Sequence, residues 1–139
     1  MSKYFLFCDG GARGNPGPAA IGYAVFNSQN KLIFEEGKKI GQSTNNKAEY
    51  QAVIAGLEKV GEVCEKPIEI KIYLDSELVV HQLNGKYKVK EASLKPFFWQ
   101  IRDKIMALGG AVSFSHIPRR KNKHADFLVN KALDGKLNE

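Results

Sequence analysis

The segment Ile68-Glu69-Ile70-Lys71-Ile72-Tyr73-Leu74-Asp75 decides the fold. Its apolar residues fall at every second position, the mark of a strand with one face buried. The run ends on an acid, and Asp75-Ser76 opens a short helix over residues 76–83 that Asn84-Gly85 stops. Working backwards, residues 46–60 carry Val53, Ile54, Leu57 and Val60 at helical spacing. Residues 3–9 form another apolar run ending on an acid, Asp9, and a Gly/Pro-rich turn over residues 10–18 follows. Residues 21–26 and 32–39 read as two more strands across the polar turn Asn27-Ser28-Gln29-Asn30.

Working forwards, Ser93 is placed to cap a helix carrying Leu94, Phe98, Ile101, Ile105 and Leu108, which Gly109-Gly110 ends. Residues 111–117 read as a fifth strand, and Asn122 is placed to cap a last helix through Leu133. The order is β-β-β-α-β-α-α-β-α. Three strands with short links form an antiparallel meander, whereas strands reached through helices add in parallel. The expected fold is therefore α/β: a five-stranded mixed sheet, three antiparallel strands then parallel additions, with helices on both faces. Ligands of such sheets bind beyond the carboxyl ends of the strands where strand order switches.

Hydrophobic residues make up 43% and charged residues 26% of 139 residues, the profile of one globular domain spanning 1–139 rather than a disordered chain. No apolar run approaches the ~20 residues that span a bilayer, and the N-terminal stretch is too short for a secretion signal. Cys8 and Cys64 form neither a CxxC pair nor a metal spacing with the histidines, so a reduced, cytoplasmic setting is expected. The net charge of +6 favours an anionic partner. It is concentrated at Arg119-Arg120-Lys121-Asn122-Lys123 and at Lys86, Lys88, Lys90 and Lys95, although charge runs are also ordinary solvated surface.

Four acids stand out, and each has a plainer reading. Asp9-Gly10 is an ordinary turn start and Asp75-Ser76 an ordinary helix start. Asn46 with Glu49 three residues on fits a capping box. Glu49 nevertheless stands four residues before Val53 and eight before Leu57, on the buried stripe, where a carboxylate needs a partner. Asp126 lies in the first turn of the last helix, where the dipole favours negative charge. If strands one and four are parallel neighbours, Asp9 and Asp75 emerge at the same sheet edge. Carboxylates ~4 Å apart repel by about 4 kcal/mol at an effective dielectric near 20, so a converging set takes up protons or cations. Hard oxygen ligands select Mg²⁺ or Mn²⁺, and two such ions suit in-line displacement at phosphorus.

The segments Asp9-Gly10-Gly11-Ala12-Arg13-Gly14-Asn15-Pro16-Gly17-Pro18, Thr44-Asn45-Asn46-Lys47-Ala48-Glu49, Asp75-Ser76 and His116-Ile117-Pro118-Arg119 through Asn122-Lys123-His124-Ala125-Asp126 resemble, in order, the type 1 ribonuclease H family. The resemblance covers nearly the whole chain. It implies a ribonuclease-H-like fold and endonucleolytic cleavage of the RNA strand of RNA–DNA hybrids, leaving 5′-phosphate and 3′-hydroxyl ends. It maps the family's metal-binding carboxylates onto Asp9, Glu49, Asp75 and Asp126. It matches His116 to the mobile-loop histidine that assists water activation or product release; His124 and His81 have no such counterpart and read as surface or packing residues.

The substrate contacts it implies are Asn15, Asn45, Asn46 and Gln82 in the minor groove and Thr44 on a DNA phosphate, with Gly10 and Ser76 in the matching motifs. Amide side chains suit both base-edge acceptors and a ribose 2′-OH. Taken alone, Asn15 is a turn residue, Asn46 a helix cap and Gln82 a solvent-facing helix residue. Gln42 stands where some bacterial members carry arginine. Residues 85–94 lack the basic handle helix of several members, so the chain is similar to the short branch, with Lys86 and Lys88 available to grip the DNA backbone.

Other readings are set against this one. A nucleotide-binding phosphotransferase fits poorly, since the glycine-rich turn lacks a following Lys-Ser/Thr and any GxGxxG. A catalytically silent module of the same fold would be expected to have lost carboxylates. A nuclease domain derived from a reverse transcriptase is the remaining alternative, against which the start at Met1 close to strand one reads as a free-standing protein. A monomer without an obligate protein partner and without a membrane association is expected.

Overall fold

The computed structural model describes residues 2–135. Three antiparallel strands come first: β1 (Ser2–Ala12), β2 (Gly17–Asn27) and β3 (Leu32–Ser43). Helix α1 (Asn45–Val63) leads to β4 (Ile68–Leu74), and α2 (Glu77–Leu83) follows it. A 3-10 turn at Ala92–Leu94 runs into α3 (Lys95–Ala107), then come β5 (Val112–His116), a second 3-10 turn at Arg119–Lys121 and α4 (Lys123–Leu133). The sheet order is β3-β2-β1-β4-β5, with β1 antiparallel to β2 and parallel to β4, and β4 parallel to β5. The expected mixed sheet is observed.

The two faces of the sheet are covered differently. On one, Leu6, Cys8, Tyr23, Ile70 and Ile72 join Tyr50, Val53, Leu57 and Val60 of α1 in the main core. On the other, α4 lies on small residues of β2: Ala20 packs with Val129 and Ala132, and a Cβ on Gly22 would meet the Ala125 carbonyl at 2.5 Å. A glycine here admits the helix backbone itself, which brings the N-terminal turn of α4 down to the sheet.

Several boundaries differ from the sequence reading. The segment read as a turn from Gly10 onward continues β1 through Ala12, with Gly10, Gly11 and Ala12 paired to Ile21, Ala20 and Ala19. Strands β2 and β3 are also longer than expected: apart from Pro18 and Ile40, their extra residues are glycine, alanine and polar positions whose pairing leaves no alternation to read. Ser93 does not cap α3: it lies inside the 3-10 turn and its hydroxyl donates to Glu91 Oε2 at 2.7 Å, while Leu94 holds the cap position. The capping box is absent too. Thr44 is the N-cap of α1, accepting from the Lys47 N–H at 3.2 Å, which leaves Glu49 free for another task.

Candidate active site

Because β1 and β4 are parallel neighbours, with Phe7 beside Tyr73 as their last pair, Asp9 within β1 and Asp75 just after β4 come together at the edge where that pairing ends. Glu49 reaches that edge from the second turn of α1 and is buried, as is Asp9. One oxygen from each of Asp9, Glu49 and Asp75 lies within 4.8 Å of the others. The main-chain N–H of Gly10 is shared by two of them, donating to Asp9 Oδ1 at 3.0 Å and to Glu49 Oε1 at 3.1 Å. Glu49 Oε2 is buried with no hydrogen-bond partner.

The electrostatics follow from this crowding. Burial, with Asp75 and Asp126 adding repulsion, lifts the Asp9 carboxyl to about 7, although its interaction with Glu49 acts the other way. Burial first, then the charge of Asp9, drives Glu49 well above the usual carboxylate range. An orphaned carboxylate oxygen inside a three-acid set is the condition a divalent cation relieves, and the hard oxygen donors fit one. Asp126 stands outside the tight trio but lines the same cavity of about 520 Å³, with Gly10, Asn45, Asn46, Ser76 and Arg119. Three acids converge closely, and the fourth faces them from α4.

The other expected residues divide into groups. Asn45 Oδ1 accepts from the Ala12 N–H at 2.8 Å, and Asn15 Oδ1 accepts from the Asn45 N–H at 2.9 Å, bracing the two loops against each other. Ser76 caps α2, its hydroxyl accepting from Val79. Asn46 lines both the carboxylate cavity and a second, more apolar cavity of about 570 Å³ with Leu78, Gln82, Lys86, Tyr87 and Lys88. Gln82 is not the solvent-facing residue its helix position suggests: it is 6% exposed, and Tyr50 donates to its Oε1 at 2.7 Å. His116 is the exposed last residue of β5 and does not line the carboxylate cavity. His124 contacts Glu35 and the edge of Phe26, and His81 contacts Glu77 and Tyr87; both serve packing and surface pairing.

Two residues were missed. Tyr50, fully buried behind Gln82, was hidden by its place in the α1 stripe, where an aromatic reads as core. Asn122 was read only as a helix cap. It occupies that position but makes no side-chain cap; instead its buried Nδ2 donates to the Cys8 carbonyl at 2.8 Å and approaches Asp75 Oδ2 at 3.4 Å.

Comparison with known proteins agrees with this geometry. The model of the family described as reverse transcriptase-like matches residues 7–132. The ribonuclease H of Dechloromonas aromatica is 30% identical, over 93% of this chain and 92% of its own. The chain belongs to the ribonuclease H family. Another member, the ribonuclease HI of Halobacterium salinarum, is 38% identical over 95% of this chain. This chain spans 65% of that relative and 36% of the bifunctional Mycobacterium tuberculosis protein that it also matches. Among solved ribonuclease H structures, LC11-RNase H1, isolated from compost, superposes with a TM-score of 0.92 at 45% identity, covering 99% of both chains. LC11-RNase H1 has also been solved in complex with an RNA/DNA hybrid. No helix among the described residues is long and apolar enough to cross a membrane.

Proposed function

We propose that this chain is an endoribonuclease that hydrolyses the RNA strand of RNA–DNA hybrids, leaving 5′-phosphate and 3′-hydroxyl ends. The observation that carries the reading is the trio Asp9, Glu49 and Asp75, delivered by three different elements to within 4.8 Å, with one buried oxygen unpartnered. Asp9, Glu49, Asp75 and Asp126 would hold two divalent ions, Mg²⁺ or Mn²⁺. When bound, such ions supply Lewis-acid stabilisation of the charge that develops on phosphoryl oxygens during in-line displacement.

The chain's own groups prepare and align. The Gly10 N–H fixes one oxygen each of Asp9 and Glu49, so neither carboxylate has to reorganise when substrate arrives. Asn15 and Asn45 hold the β1–β2 turn to the start of α1, and with Asn46, Ser76 and Gln82 they form the polar floor for the minor groove of a hybrid. With its Oε1 taken by Tyr50, Gln82 has its amide N–H groups left to offer. Thr44 is assigned to a DNA phosphate beside its capping role. His116, exposed at the end of β5, is given the role of assisting water activation or product release. The hybrid complex of LC11-RNase H1 supports this substrate class. Cys8 and Cys64 are free and buried, which supports a reducing compartment such as the cytoplasm. A monomer of one domain is part of the same reading.

The test is a substrate panel. End-labelled RNA–DNA hybrid, double-stranded RNA and DNA duplex are incubated with Mg²⁺ or Mn²⁺, beside an Asp75→Asn control. Cutting confined to the RNA strand of the hybrid, and lost in the control, is expected. Cutting of DNA duplex, or undiminished hybrid cutting by the control, would sink the proposal.

In this reading the second cavity takes the DNA strand. Its lining combines Lys86, Lys88 and Lys90, against a single acid at Glu91, with Leu78, Leu94 and Tyr87, a surface suited to a phosphate backbone with sugars that lack the 2′-OH. Lys86→Ala and Lys88→Ala are each expected to flatten the salt dependence of hybrid binding by about one unit of logarithmic slope. A fluorescence-anisotropy titration at several salt concentrations checks this, and an unchanged slope removes the lysine from the interface.

A further inference from the structure

We propose that Asn122 is a positioning residue that sets the orientation of the Asp75 carboxylate and ties it to Asp126. The inference rests on the nuclease reading only in taking the carboxylate cluster to be the working site. Asp9 and Glu49 each receive a hydrogen bond from the main-chain N–H of Gly10. Asp75 has no such anchor. Among the described residues, the hydrogen-bond donor at its carboxylate is Asn122 Nδ2, 3.4 Å from Oδ2, while the exposed Arg119 comes no closer than 4.0 Å. The same Nδ2 donates to the Cys8 carbonyl at 2.8 Å, one residue before Asp9. Asn122 is 1% exposed, so this amide is held by its surroundings rather than by solvent.

Its main chain extends the tie. The Asn122 carbonyl accepts from the Asp126 N–H at 3.1 Å, the first helical bond of α4. One residue therefore touches β1 at the residue before Asp9, the carboxylate after β4 and the backbone of the fourth acid. Its Oδ1 is buried without a partner, so the side chain is not there to complete a saturated structural network. An amide is well suited to the place: its N–H₂ group has two protons for two acceptors, and it brings no charge into an already crowded acid cluster.

The test separates positioning from mere bracing. Mn²⁺ binding to the substrate-free protein is titrated calorimetrically, hybrid cleavage is resolved into kcat and KM, and melting temperature is recorded in EDTA. Asn122→Ala is expected to weaken Mn²⁺ binding about five-fold or more and to lower kcat at least ten-fold, with KM within about two-fold. In an Asp75→Asn background, the same change is expected to add no further loss of Mn²⁺ affinity. A lower melting temperature with Mn²⁺ affinity and kcat within two-fold of the parent would overturn the proposal, as would a full additional loss in the Asp75→Asn background. Should the alanine variant fold too poorly to titrate, Asn122→Ser keeps one short donor that cannot reach both acceptors, and unchanged Mn²⁺ affinity there counts equally against it. The metal titration needs no cleavage, so failure of the parent protein to cut hybrid would count against the nuclease reading alone.

Discussion

Asp9→Asn is expected to lower hybrid cleavage at least about a thousand-fold while making the metal-free protein more stable at pH 8. The first effect is a loss of about 4 kcal/mol of transition-state stabilisation, since each tenfold is about 1.4 kcal/mol. Asparagine offers one neutral oxygen where a carboxylate stood between Glu49, Asp75 and Asp126, and the cation-holding charge of the cluster falls. The second effect comes from the same crowding seen without metal. In the folded chain Asp9 titrates at about 7, against an ordinary aspartate value near 4 when unfolded. An acid raised in this way favours the fold while protonated, so its contribution is complete below about pH 4 and is lost as pH rises through 7. Asparagine mimics the protonated form at every pH. Melting curves in EDTA should therefore nearly coincide for parent and variant at pH 4 and separate progressively up to pH 7–8, by a few kcal/mol at most. Saturating Mg²⁺ should narrow the gap, because the ion stabilises the parent preferentially. A variant that retains activity within tenfold, or that melts below the parent at pH 8 in EDTA, contradicts the assignment.

How much of this could be read in the chain depends on what kind of residue carries the signal. The strand over Ile68–Leu74 and the stripe of α1 are large apolar side chains at fixed spacing, and both elements lie where the alternation and the helical period put them. The ends of β1, β2 and β3 are not readable in this way. Gly10, Gly11, Ala19, Ala20 and Gly41 pair in the sheet through backbone hydrogen bonds, with no bulk to alternate. Glu49 shows the same limit from the other side. Its spacing from Asn46 fitted a cap and its spacing from Val53 fitted the core, and only the position of Thr44 at the true N-cap decides between them.

Convergence was the part of the site that no local pattern could supply. Asp9 and Asp75 meet because β1 and β4 pair in parallel, a contact between residues far apart in the chain. Asp126 joins them because Ala20 and Gly22 are small enough for α4 to settle on β2. The family motifs marked these acids but not what holds them. Asn122 passed as a helix cap since asparagine is a favoured one. Its real partners, Cys8 within β1 and Asp75 just after β4, lie where the local sequence does not state the neighbourhood.

Gly10→Ala is expected to be the most destabilising single methyl group that could be added at the site. A Cβ at this position would lie 2.3 Å from both the carbonyl carbon and the oxygen of Ala48 and 2.6 Å from the Glu49 nitrogen. These are backbone atoms of α1, so no rotamer change relieves the overlap; the helix has to move off the strand. Its path is constrained, because Gly56 lies directly against the Leu6 side chain farther along the same crossing. Overpacking of a core commonly costs about 1–3 kcal/mol, and a clash with main chain belongs at or beyond the upper end. For a domain of this size that is a fall in melting temperature of roughly 10 °C. The displacement also has a chemical consequence. Glu49 rides on the part of α1 that must shift, and the Gly10 N–H that holds Asp9 Oδ1 and Glu49 Oε1 rides on the strand it shifts from. Cleavage by the remaining folded protein, measured well below its melting temperature, should drop at least ten-fold, with hybrid binding much less affected. Gly11→Ala is the matched control, since a Cβ there meets nothing nearer than the Asn45 Oδ1 at 3.9 Å. If the two variants melt together and cut equally well, the close crossing of β1 and α1 is not what holds the carboxylates in place.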